Sequence, residues 1–138
     1  MKIINVVAGI IQNFDGRILL ARRKPGSHLE GYWEFPGGKI EDGESAEASL
    51  ERELIEELGI STKTGQFFAE SVYTYDYKKI RLLAYFSTYL KGEFVLESHD
   101  QVVWVTVNEA LGYYLAPADV PIMKALHSML ASTNNSGK

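Results

Sequence analysis

The 138-residue sequence contains no cysteine, which excludes disulfides, thiolate nucleophiles, Cys-ligated zinc and iron–sulfur clusters. A chain of this kind fits a reducing compartment, and the cytoplasm is the expected one. No hydrophobic run is long enough for a membrane span, which needs ~20 residues. The most apolar run, Ile3 to Ile11, is broken by Asn5 and Gly9 and has no small-residue cleavage site after it, so it reads as a strand. No stripe of lysine and arginine interleaved with aromatics appears, so a nucleic-acid polymer is not an expected partner. What is present is ordinary globular composition, 46% hydrophobic and 23% charged, with no repeat or linker. One domain is expected over residues 1–131, followed by a frayed polar tail over 132–138.

The formal net charge of −4 is unevenly placed. Between Lys39 and Glu57 eight acids stand against Lys39 and Arg52, a local charge of −6 that leaves +2 for the rest. So concentrated a negative charge points to a divalent cation, and is compatible with a small phosphorylated ligand bound through it.

Ile3–Gln12 and Arg17–Arg22 flank Asn13-Phe14-Asp15-Gly16, a turn sequence that predicts an antiparallel pair. Lys24 to Gly31 reads as a loop, and Tyr32–Phe35 as a short strand stopped by Pro36-Gly37-Gly38. Ser45–Leu58 has an N-cap serine, no internal glycine or proline, and Gly59 as C-terminal cap, so it predicts a helix. Thr62–Tyr77 and Ile80–Lys91 read as a long hairpin joined by Lys78-Lys79, with a further strand at Val102–Val105. Thr106 and Glu109 have capping-box spacing, and Pro121–Leu130 places Ile122, Leu126, Met129 and Leu130 on one helical face. Strands with two or three helices packed on them make an α+β protein or an α/β/α sandwich.

At ~100° per residue, Leu50, Leu54 and Leu58 form the core stripe of the acidic helix, and Glu53, Glu56 and Glu57 lie beside it. Like charges three and four residues apart each cost an isolated helix roughly 0.2–0.5 kcal/mol. A merely solvated face would sit opposite the leucines. Beside that reading stands a second, in which carboxylates at the core's edge, near a Gly-Gly turn, make an oxygen-rich site suited to Mg²⁺ or Mn²⁺. Such an ion binds phosphate oxygens and activates water, with a spare glutamate taking the proton.

Gly38, Glu44 after five intervening residues, and Arg52-Glu53-Leu54-Ile55-Glu56-Glu57-Leu58-Gly59-Ile60 after seven more resemble the signature of the Nudix hydrolases at every defined position. The likeness extends to Ala21-Arg22-Arg23, to Trp33 through Glu41 and to Leu115 through Pro121, which look like the MutT-type branch and especially its CTP pyrophosphohydrolases. The resemblance implies a Nudix fold, a mixed sheet with the signature loop and helix packed on it. It also implies a Mg²⁺- or Mn²⁺-dependent enzyme that turns a nucleoside triphosphate into monophosphate and pyrophosphate. Carried over by position, Glu53, Glu56 and Glu57 are metal ligands, the Gly37 carbonyl is a further ligand, Arg52 orients the carboxylates and Glu44 supports them. Relatives that cleave ADP-ribose usually have a proline soon after the signature, and none occurs here between Gly37 and Ala116, which favours triphosphates.

The family's usual acid-His-Asp run is here Ser98-His99-Asp100, so the catalytic base stays open between Glu97 and Asp100. Arg23 is a solvated strand end or, by resemblance, a base contact; Asp119 is an N-cap, a base contact or both. Oxidised-guanine-specific relatives carry asparagine at the Asp119 position. Trp33 and Phe35 read as core, His99 and His127 carry no partner pattern, and His28 lies in a loop with no role assigned. The expected substrate is CTP, dCTP or a 5-substituted dCTP, with 8-oxo-dGTP as the alternative. A non-catalytic nucleotide sensor or a metal-binding module is the reading from another class. An EF-hand ladder is absent and no signature position is lost, which disfavours both forms of that reading. The expected partner is a small nucleotide, with neither membrane nor nucleic-acid polymer, bound by a monomer or homodimer.

Overall fold

Alternation along the first strand organises the molecule. In a computed structural model that describes residues 2–136, β1 (Ile3–Gln12) sends Val7 and Ile11 to one face of the sheet and Ala8 and Ile10 to the other, all fully or almost fully buried. The first face meets Leu50, Leu54 and Leu58 of α1 (Ala46–Leu58); the second meets Ile122, Met123 and Leu126 of α3 (Val120–Ser136). Two apolar layers on opposite faces of one sheet make the expected α/β/α sandwich.

The sheet is mixed. β1 runs parallel to β6 (Lys78–Lys91) from Ile3 opposite Lys79 to Gln12 opposite Thr88, and β6 pairs antiparallel with β5 (Ser61–Tyr75). β2 (Ile18–Arg23) lies between β3 (Trp33–Glu34) and β7 (His99–Val105). The predicted pairing of β1 with β2 holds only at the turn, where Gln12 faces Ile18. Beyond that point β1 takes a different antiparallel partner, β4 (Gly37–Lys39), in which Gly37 faces Ala8 and Gly38 faces Val7. Pro36-Gly37-Gly38, expected to stop a strand, thus leads into one. A Cβ on Gly37 would lie 1.9 Å from the Val7 carbonyl oxygen, so the glycine marks a close backbone approach.

Helix caps follow the sequence closely. The Ser45 side chain accepts the Ala48 amide at 3.1 Å, Gly59 caps α1 at φ 74°, and both capping-box bonds of α2 (Val107–Ala110) form. The long hairpin turns at Asp76-Tyr77, two residues before the predicted Lys78-Lys79, with Asp76 taking the left-handed backbone that aspartate tolerates. β7 begins at His99, three residues before the predicted strand, because its early residues pair with β2. α3 continues through Ser136, past the predicted Leu130, since nothing between them breaks a helix; Ser132 to Ser136 are therefore helical where a frayed tail was expected. Gly137 and Lys138 lie outside the described residues. Met129 and Leu130 are each 38% exposed, so Met123 replaces them on the buried face.

Candidate active site

Arg52 is the hub of the acidic helix. Its Nε and Nη2 donate to the two carboxylate oxygens of Glu44 at 2.7 and 2.9 Å, and its Nη1 donates to Glu53 at 3.1 Å and Glu56 at 2.9 Å. The bidentate pair holds the Glu44 carboxyl down at about 2. Glu53 is pushed the other way by burial first, against the pull of Arg52 and with help from the charges of Glu57 and Glu56. Packing places it there: a Cβ on Gly38 would lie 2.2 Å from the Glu53 carboxyl carbon, so β4 crosses directly over this side chain.

Glu57 Oε2 is buried and accepts no hydrogen bond. Among the described residues no three acidic or histidine side chains converge as a ready-made metal cluster. The predicted convergence of Glu53, Glu56 and Glu57 is thus incomplete, because Arg52 draws Glu53 and Glu56 onto itself. Even so, one guanidinium faces Glu44, Glu53 and Glu56 while Glu57 keeps an orphaned oxygen, and an excess of oxygen donors in such a place fits a hard divalent cation.

The two candidates for the base separate cleanly. The Glu97 amide donates to the Glu57 carbonyl at 3.2 Å, which brings Glu97 against the C-terminal turn of α1. Asp100 instead takes both Nε and Nη2 of Arg22, at 2.8 and 3.1 Å, and that guanidinium lowers the Asp100 carboxyl below its ordinary range. Arg22 is in turn stacked over Trp33. Asp100 is therefore committed to an ion pair on β2.

On the other side of β4 a cavity of about 280 Å³ is lined by Arg23, Glu34, Phe35, Tyr75 and Asp119, and reaches Gly37, Gly38 and Lys39. Asp119 directly precedes α3, as expected of a cap, yet its carboxylate accepts the Phe35 amide at 2.9 Å. It is 5% exposed, and burial, then the charge of Glu34, raises its carboxyl well above the ordinary range, with the Phe35 amide opposing. Arg23 is held by the His28 carbonyl at 2.9 Å and by Glu34 at 3.5 Å. The cavity and the carboxylates thus share one wall, β4.

A model of the Nudix domain matches residues 2–126. The chain belongs to the Nudix family. As a Nudix hydrolase it is similar, at 42% identity over 132 residues, to the CTP pyrophosphohydrolase of Escherichia coli, covering 96% of this chain and 97% of the relative. An 8-oxo-dGTP diphosphatase of Haemophilus influenzae is 34% identical over 134 residues, 97% of this chain and 96% of the relative. The crystal structure of a MutT protein from Methanosarcina mazei superposes with a TM-score of 0.83 at 26% identity, covering 95% of each chain. Hydrolases of this family generally use divalent metal ions. Among the described residues no helix is long and apolar enough to cross a membrane.

Sequence reasoning missed part of the cavity of this Nudix protein. In the sequence Tyr75 is only a strand residue, whereas in the structure its hydroxyl accepts the Ala118 amide at 2.8 Å beside Asp119. Phe35 is core, as expected, but also lines the cavity. His99, left without a partner, is buried against Glu34 at 2.8 Å. The available signal was the alternation of Tyr32 and Glu34 with Trp33 and Phe35, which puts Glu34 on the face opposite the tryptophan.

Proposed function

We propose that this Nudix hydrolase is a Mg²⁺-dependent pyrophosphohydrolase of cytosine nucleoside triphosphates, including CTP, dCTP and 5-substituted dCTP, releasing monophosphate and pyrophosphate. The observation that carries this reading is the shared wall: Gly38 lines the cavity and packs against Glu53, so a base in the cavity leaves its phosphates directed at the carboxylates. Glu53, Glu56, Glu57 and the Gly37 carbonyl hold the metal, with Mn²⁺ able to replace Mg²⁺. When bound, the metal neutralises phosphate charge and lowers the pKa of a coordinated water. Arg52, fixed by Glu44, sets the rotamers of Glu53 and Glu56. Glu97 is the group that accepts the proton of the attacking water, since it stands beside Glu57 while Asp100 is held by Arg22.

Base choice rests on Asp119. An Asp119 oxygen that accepts suits the exocyclic amino group of cytosine, and burial, which raises its carboxyl, favours the protonated form that also donates to the ring nitrogen. Uracil and thymine put a carbonyl where cytosine has the amino group, so the Asp119 oxygen that accepts from cytosine meets an acceptor there. The same donor–acceptor capacity, and the 8-oxo-dGTP diphosphatase among the similar proteins, make 8-oxo-dGTP the second substrate to test. The deciding experiment is product analysis with a panel of normal, oxidised and methylated triphosphates, with Mg²⁺ and with EDTA. Cytosine substrates should be cleaved fastest, yielding pyrophosphate and no orthophosphate, and EDTA should abolish turnover. Preference for 8-oxo-dGTP would overturn the base assignment, and diphosphate as product would overturn the cleavage site.

A further inference from the structure

We propose that His99 is a positioning residue for base recognition: it anchors Glu34, and through Glu34 it holds Arg23 in the base cavity that Asp119 also lines. The proposal rests on the reading above that this cavity receives the base. His99 opens β7, its side chain is 2% exposed, and its Nε2 stands 2.8 Å from Glu34 Oε2. Its Nδ1 is buried with no hydrogen-bond partner among the described residues. The imidazole thus reaches Glu34 through Nε2 and leaves Nδ1 facing the interior. For packing alone, an apolar side chain would fill that space without an orphaned nitrogen. The feature that distinguishes the imidazole there is its grip on Glu34.

The backbone is arranged to deliver that grip. Along β2 and β7, Arg22 faces Gln101, but the register then slips, so Arg23 faces His99 where a regular ladder would bring Asp100. The slip brings the histidine and the arginine to the same carboxylate: Glu34 Oε2 also lies 3.5 Å from Arg23 Nη1. The second anchor of Arg23 is the His28 carbonyl at 2.9 Å, in a loop, so the anchor built on the sheet is Glu34. Glu34 also precedes Phe35, whose amide holds Asp119. The Glu34 carboxylate, bonded by His99, therefore holds Arg23, and the residue next to it in the chain holds Asp119, the two cavity groups expected to meet the base.

The test compares CTP and UTP turnover, with Mg²⁺, in the wild-type enzyme and in His99→Leu, His99→Gln and Glu34→Gln. His99→Leu should raise KM for CTP about tenfold and shrink the cytosine-to-uracil ratio of kcat/KM about tenfold, with kcat within about twofold, the effect of one lost polar contact remote from the phosphates. His99→Gln, whose amide still donates to Glu34, should restore most of the ratio. Glu34→Gln, which weakens the hold on Arg23, should repeat the loss and also serves if His99→Leu fails to fold. An unchanged KM and ratio in both His99→Leu and Glu34→Gln refutes the proposal. Equal losses for CTP and UTP, no smaller in His99→Gln, reduce His99 to a structural residue. If the wild-type enzyme itself shows no cytosine preference, the base assignment falls first, and this proposal falls with it.

Discussion

Gly38 and Glu53 occupy the same space: a Cβ on the glycine would lie 2.2 Å from the carboxyl carbon of the glutamate and 2.3 Å from its Oε2. The neighbouring Gly37 is crowded by backbone instead, the Val7 carbonyl oxygen. Two adjacent glycines are thus required for different reasons. Gly38→Ala should displace the flexible Glu53 carboxylate and lower kcat by at least ~100-fold, the scale of lost metal-assisted catalysis, with a small change in melting temperature. Gly37→Ala should break the β1–β4 pairing and cost roughly 1–3 kcal/mol or more of stability. Thermal melts beside steady-state kinetics separate the two; equal loss of stability in both variants would contradict the assignment.

Glu57 carries the orphaned oxygen, whereas Glu47 lies on the exposed first turn of α1 and Glu51 bonds the Thr64 amide. Glu57→Gln should lose activity by at least ~100-fold while leaving the fold as stable or slightly more so, because it removes a charge that nothing on α1 pairs. Glu53→Gln and Glu56→Gln should lose activity comparably. Glu47→Gln should be silent, and Glu51→Gln nearly so, since its amide oxygen still accepts from Thr64. Five variants with the same activity would return the helix to a solvated face.

Acid stability reports on the pairing of Arg52 with Glu44. The folded protein holds the Glu44 carboxyl at about 2, below its ordinary 4.5, so it binds its proton more weakly than the unfolded chain does. Its contribution is therefore complete above about pH 4.5 and disappears as pH falls towards about 2. Glu44→Gln should melt below the wild type near neutral pH, with the gap closing through that acid window. A gap that is constant across the window would show that the ion pair does not carry the difference.

Asp119 has the opposite sign. Its carboxyl is raised, so its contribution to stability is complete below the ordinary value of 3.8 and is lost as pH rises through the folded-state value. Asp119→Asn, which stays neutral, should gain stability relative to the wild type as pH rises, read from melting temperatures across the pH range. Asp119→Ala should narrow the cytosine-to-uracil ratio of kcat/KM by roughly tenfold to a hundredfold without abolishing turnover, because one unpaired buried polar group costs about 1–3 kcal/mol. An unchanged ratio would leave Asp119 as the residue that precedes α3 and nothing more.

Local and periodic features were legible in the sequence by itself. The leucine stripe of α1, its serine and glycine caps, the capping box of α2 and the long hairpin each depend on contacts within one element or between chain neighbours, so residue order determines them. The glutamates that flank the stripe were legible for the same reason. The tertiary structure decided everything that depends on which distant segments meet. It gave β1 to β6 and β4 over most of its length, made a strand of Gly37–Lys39, tied Asp100 to Arg22 and brought Glu97 to Glu57. It also brought Arg23, Glu34 and Asp119 to one cavity and His99 to Glu34, from four separate parts of the chain. Propensity and spacing carry no information on such meetings, because their energies come from register, burial and charge pairing, which exist only once the sheet has closed.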